Sequence, residues 1–85
     1  MKIKITKILF IKKITYFLES IRNDYNIETN TLDAVFITKL ISKSGKKKEA
    51  INQLISYINW IRSKNEFYEK NLITLNKLIE AFYDN

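Results

Sequence analysis

Cysteine, histidine and proline are absent from this 85-residue chain, and glycine occurs once, at Gly45. Without cysteine there is no disulfide to staple a small fold, and without cysteine or histidine the ligands that transition metals prefer are missing. Nucleophilic catalysis loses its strongest nucleophile and its usual base at the same stroke. What remains for chemistry is serine with lysine, or a pair of carboxylates. The nine acidic residues are scattered, and the one close pair, Glu66 and Glu69, reads as compensation of a helix dipole. No enzyme and no cofactor is expected. Long apolar runs are lacking too: Ile8 to Ile11 is cut short by Lys12 and Lys13, too early for a signal peptide, and nothing approaches the ~18 residues of a membrane span. A cytoplasmic protein is the expectation, with association at a membrane surface left open.

What is present is ordinary globular material, 46% hydrophobic and 28% charged, too apolar for a disordered tail. A chain this short supports one core and one domain, residues 1–85. The net charge of +6 is unevenly placed. Lys2, Lys4, Lys7, Lys12 and Lys13 form one acid-free group and Lys39, Lys43, Lys46, Lys47 and Lys48 a second, so the rest of the chain is mildly acidic. Two local patches of this kind suit phosphate, lipid headgroups or an acidic protein surface, or are simply solvated faces.

With no proline and one glycine, helix ends must be read from caps and periodicity. Phe10, Ile14, Phe17, Leu18, Ile21 and Tyr25 recur at three- and four-residue steps, which predicts a first helix over about 8–24. Lys2 to Thr6 alternates as a strand would, but a short strand needs a partner, and a frayed or helical lead-in is expected there. Asn26 to Thr31 is polar and turn-forming. Asn30 or Thr31 would cap a second helix over about 31–44, whose apolar residues Leu32, Val35, Phe36, Ile37, Leu40 and Ile41 cover enough of its circumference to make it the most buried. Gly45 ends it. Ile51, Leu54, Ile55, Ile58 and Ile61 predict a third helix over about 47–64, and Tyr68, Leu72, Leu75, Ile79 and Phe82 a fourth over about 67–83. The expected fold is therefore all-α, a single antiparallel four-helix bundle. An alternative stays open: the last two stripes join with an unbroken 3.5-residue period if Asn65 lies in the seam, giving one long helix in a coiled-coil dimer. A break over Ser63 to Glu66 is the expectation, because a compact bundle buries more apolar surface per monomer.

Three features bear on binding. Lys43-Ser44-Gly45-Lys46 has the end of a phosphate-binding loop but Leu40 in place of its first glycine and Lys47 in place of its hydroxyl, so that motif fails. The second and third helices, joined at Gly45, have the outline of a helix-turn-helix, and lysines could hold a nucleic-acid backbone, but Arg22 and Arg62 are far apart in sequence and no base-reading cluster accompanies them. Trp60, beside Tyr57 at the edge of the third stripe, is expected to pack in the core, with display to a partner as the alternative.

The second half resembles the immunity proteins of pediocin-like bacteriocins. The resemblance rests on Gly45-Lys46-Lys47-Lys48, then Ile51-Asn52-Gln53-Leu54-Ile55-Ser56-Tyr57-Ile58, then Ser63-Lys64-Asn65-Glu66 and a closing helix from Leu72 to Phe82. It implies a cytosolic four-helix bundle that recognises, from inside, a membrane receptor complex of the mannose-transporter type once the toxin has engaged it, with specificity in the C-terminal half. The chain stops at Asn85 without the C-terminal extension that many such proteins carry. The residues expected to meet a partner are Lys43, Lys46, Lys47, Lys48, Tyr57, Trp60, Arg62 and Lys64. A small basic nucleic-acid-associated regulator of plasmid or phage type and a helical protein-protein interaction module are the alternatives.

Overall fold

The computed structural model describes residues 4–84. Four helices form, α1 (Lys7–Tyr25), α2 (Ala34–Ser44), α3 (Lys48–Ser63) and α4 (Glu69–Asp84), as the periodicity predicts. Two two-residue strands, β1 (Lys4–Ile5) and β2 (Phe67–Tyr68), pair antiparallel with Lys4 opposite Tyr68 and Ile5 opposite Phe67. The alternation before α1 has a partner after all. β2 occupies the first two residues expected of the fourth helix, and Lys2 and Ile3, which belong to the expected lead-in, lie outside the described residues.

α1 buries Phe10, Ile14, Phe17, Leu18 and Ile21, the face its spacing predicts. Its C-terminus is set by Asn26, which takes the left-handed backbone (φ 55°) and donates its N–H to Arg22 O. Asparagine tolerates that conformation better than other non-glycine residues. The link that follows is not the polar turn expected over Asn26 to Thr31. Ile27, Thr29 and Leu32 are buried while Glu28 and Asn30 point out, an alternation that comes from extended backbone. The Arg22 guanidinium donates to the Thr29 hydroxyl at 2.9 Å, satisfying a polar group that burial would otherwise leave costly.

This link carries the chain back along the bundle. At one end the Lys43 ammonium, near the end of α2, reaches Asn26 O just past α1. At the other the Asn59 amide of α3 donates to Leu32 O at 3.2 Å. α2 thus runs in the same direction as α1, and α3 runs antiparallel to both neighbours in sequence.

α2 starts at Ala34 rather than Thr31. Asp33 is its cap, accepting the Phe36 N–H at 3.0 Å, which asparagine or threonine further upstream does not do. Nor is α2 the most buried helix: only Phe36 and Leu40 are fully inside, and Val35 is 59% exposed. Leu32 joins the core from the extended link. Gly45 closes the helix with φ +69° and its N–H on Ile41 O, the conformation for which glycine lacks the steric penalty of other residues.

α3 buries the five isoleucine and leucine positions expected of it. It ends at Ser63, and Asn65 lies in the turn, so the continuous α3–α4 coiled coil is corrected. The turn tightens with Lys64 N–H on Ile61 O at 3.2 Å, and pairing of Phe67 and Tyr68 with β1 takes the backbone out of helical geometry. A long helix would expose Phe67, which is instead fully buried. α4 returns along α3, burying Leu75 and Phe82 and half-burying Leu72, Leu78 and Ile79 against one core. No helix among the described residues is long and apolar enough to cross a membrane.

Candidate functional site

The eight residues singled out in the sequence fall into two groups at opposite ends of α3, whose 16 residues span roughly 24 Å at 1.5 Å per residue. At its N-terminal end stand Lys43, Lys46, Lys47 and Lys48. At its C-terminal end stand Tyr57, Trp60, Arg62 and Lys64.

The lysine end is shaped by the Gly45 turn. The Ser44 hydroxyl donates to Leu40 O at 2.6 Å and accepts the Lys46 N–H at 3.1 Å, which fixes the direction of the chain into α3. Lys46 turns inward: its ammonium donates to Tyr83 O at 3.1 Å and sits 5.7 Å from the centre of the Phe82 ring, tying the turn to the end of α4. Lys47 and Lys48 are exposed. Lys47 occupies the cap position of α3 without a side-chain capping bond. A cation there meets the positive end of the helix dipole, where an acceptor such as Asp or Ser is favoured. Glu49 in the first turn offsets part of that cost. The result is three consecutive lysines on a turn fixed by Gly45 and the Ser44 hydroxyl.

The aromatic end is held by Asn71. Its side-chain oxygen accepts the Tyr68 N–H at 2.9 Å, the reach-back bond of a capping box, and its amide donates to the Tyr57 hydroxyl at 3.2 Å. The Tyr57 hydroxyl in turn donates to Asn71 O at 3.3 Å. Tyr57 so fixed stacks on Trp60, with ring centres 5.3 Å apart, and Trp60 meets Phe67 edge-on at 5.8 Å. Phe67 packs on Phe10 at 4.6 Å. Trp60 is nonetheless 38% exposed, which corrects the expectation of a core tryptophan. It borders an open apolar hollow between α3 and α4 with Gln53, Ser56, Tyr57 and Leu78. Arg62 and Lys64 are exposed beside it in the chain, and Arg62 O accepts the Lys7 ammonium of α1 at 2.9 Å.

The Glu66 carboxylate, one residue before β2, makes an exposed ion pair with Lys4 of β1 at 3.1 Å, and Glu69 alone of the acidic pair stands in the first turn of α4. Groups of three or more residues able to hold a metal ion are absent among the described residues.

A family model described as the DUF4350 C-terminal helical domain matches residues 2–85. The chain belongs to that family. No curated protein and no solved structure matches the chain. The DUF4350 C-terminal description names a helical domain and no activity, so function has to be argued from the surface this member presents.

One part of that surface escaped the sequence reading. Ile8, Leu9, Ile11 and Tyr16 of α1 are exposed, by 58%, 49%, 37% and 72%. The signal was available: Ile8, Leu9 and Ile11 lie off the stripe that Phe10 and Ile14 define, and a helix apolar on a second face has something left to cover.

Proposed function

We propose that this protein is a non-enzymatic binding protein of the bacteriocin-immunity type, acting from the cytosol on a toxin-engaged receptor complex in the membrane. The observation that carries the binding half is Trp60. A tryptophan stacked on Tyr57, braced by Phe67 and open on its remaining side is a rigid anchor whose rotamer freedom is already spent, and such residues dominate protein interfaces. It lies in the C-terminal half, with Arg62 and Lys64 near it in the chain and an apolar hollow beside it. The immunity half rests on the similarity of the lysine turn, the α3 sequence and the polar break to pediocin-like immunity proteins. A four-helix body with an apolar core suits that role, since the partner needs a stable surface and no chemistry.

Expression in a strain sensitive to pediocin-like bacteriocins tests the reading. Resistance to at least one toxin is expected, reduced by Trp60→Ala in a protein that still folds. Unchanged sensitivity across a panel of such toxins overturns it. The nucleic-acid alternative rests on the lysines and on α2 and α3 joined at Gly45, and predicts duplex binding that falls steeply with salt; absence of a shifted duplex at low salt removes it.

A further inference from the structure

Among the described residues, four of the eight exposed large hydrophobic side chains lie within nine residues of α1: Ile8, Leu9, Ile11 and Tyr16. They are not scattered. With Phe10, Ile14, Phe17 and Ile21 facing the core, Ile8, Lys12 and Tyr16 follow one another at four-residue steps on the opposite side, and Leu9 and Lys13 form the adjoining row. Lys12 and Lys13 are exposed as well. No acidic side chain occurs in α1 before Glu19, and none stands in its first turn. The outer face of the first three turns is therefore aliphatic and aromatic surface threaded with cations.

The opposite side of the same turns holds α1 to the bundle. The Lys7 contact with Arg62 O and the chain of rings from Phe10 through Phe67 to Trp60 bring the start of α1 to the end of α3. Lysines among exposed aliphatic side chains are what an interfacial helix presents to lipid, with ammonium groups on phosphate and apolar side chains below them.

We propose that the outer face of α1, centred on Ile8, Leu9, Lys12, Lys13 and Tyr16, docks the protein on an anionic lipid bilayer. Charge selects this occupant. A second copy seated symmetrically on the centre of this patch would bring Lys12 and Lys13 against the same lysines, and a nucleic-acid duplex would leave Ile8 and Leu9 against phosphates and water. An anionic bilayer takes both components at once: the lysines meet headgroups, and the aliphatic side chains enter the headgroup boundary beneath them. Ile8 and Lys12 lie on the side of α1 turned away from the contacts of Phe10 with Phe67 and of Phe17 with Phe82. The inference shares with the proposed function only its location at a membrane, and its test involves neither toxin nor receptor.

Cosedimentation of the purified chain with vesicles supplies that test. Wild-type protein is expected to pellet with phosphatidylcholine vesicles that contain phosphatidylglycerol and to stay in solution with phosphatidylcholine alone. Lys12→Gln with Lys13→Gln should weaken the partition about 25-fold, at about fivefold per lysine near an anionic surface. Ile8→Gln with Leu9→Gln leaves the charge unchanged, keeps good helix formers at exposed positions, and should weaken it by about tenfold or more, given the apolar area withdrawn. Lys70→Gln with Lys77→Gln, at exposed positions of α4, removes the same charge elsewhere as the control and should pellet nearly as wild type, with thermal melts confirming that every variant folds. No pelleting with the anionic vesicles overturns the proposal, as does an unimpaired Ile8→Gln, Leu9→Gln protein. Resistance in cells without vesicle binding would confine the failure to this face, and vesicle binding without resistance would confine it to the immunity reading.

Discussion

At the N-terminal end of α3 the chain turns on Gly45 and three successive lysines, while at the C-terminal end it turns on Ser63 to Glu66 and draws Tyr57, Trp60 and Phe67 into contact. The first turn works against its own helix. Lys47 stands where a capping acceptor belongs, and the lysines add to the positive end of the dipole. The second works with its helix, since Asn71 both caps α4 and fixes Tyr57, and the buried Phe67 ties α1 to the break. A surface that costs stability and a surface that contributes to it call for different explanations. Lysines retained at a dipole-disfavoured position are best accounted for by what they meet outside, whereas Trp60 could be kept for packing alone. Display and packing have to be separated by measurement.

The largest expected effect is at the aromatic end. Phe67→Ala removes a fully buried ring that touches both Phe10 and Trp60, and should cost about 3–5 kcal/mol in urea denaturation. Trp60→Ala should cost clearly less, because part of the ring is already in water. Equal losses would make Trp60 a structural residue and weaken its reading as an anchor. Next come Leu54→Ala and Leu75→Ala, both fully buried on the facing surfaces of α3 and α4, at about 2–5 kcal/mol each. Against total stabilities of about 5–15 kcal/mol, such losses bring a small domain close to unfolding. A loss below about 1 kcal/mol at both positions would contradict the packing of α3 on α4.

Helical periodicity made the helices and most of the core legible. Phe10 to Ile21, Ile51 to Ile61, and Leu75 with Phe82 are inside because the 3.6-residue repeat leaves them nowhere else to go. The misses share a cause, which is that pairing and capping depend on atoms distant in sequence. Lys4 and Ile5 could not be read as a strand without knowing that Phe67 and Tyr68 arrive beside them. The segment after Asn26 reads as polar, yet its alternation buries Ile27, Thr29 and Leu32 once α2 is laid parallel to α1. Asp33 could have been preferred over Thr31 as the cap, since carboxylates serve well there; the apolar Leu32 drew the helix too early. Of the candidate site, the lysine turn was legible as a charge run. The exposure of Trp60 was not, because a residue at the edge of a stripe is buried or displayed according to how far the neighbouring helix reaches.

Smaller effects should separate cost from use at the lysine turn. Lys47→Asp supplies the missing acceptor to the first N–H groups of α3 and replaces an unfavourable charge by a favourable one, so it should stabilise the protein by about 1 kcal/mol. A raised midpoint in urea with an unchanged slope is the expected readout. If the midpoint stays put or falls, the turn is not strained by its lysines, and their presence needs no external explanation.

The smallest change in stability is expected where the change in function should be large. Replacing Lys46, Lys47 and Lys48 together by Gln removes the Lys46 contacts with Tyr83 O and the Phe82 ring, a loss at an exposed contact of a few tenths of a kcal/mol, and relieves the repulsion at the start of α3, a gain of similar size. The two should nearly cancel, leaving stability within about 0.5 kcal/mol of wild type. Resistance in the toxin assay should nonetheless drop. If stability falls instead by more than about 1 kcal/mol, Lys46 is anchoring the end of α4 and the turn is a structural clamp. If neither stability nor resistance moves, the positive potential at this end of α3 is solvated surface, and binding rests on the aromatic end alone.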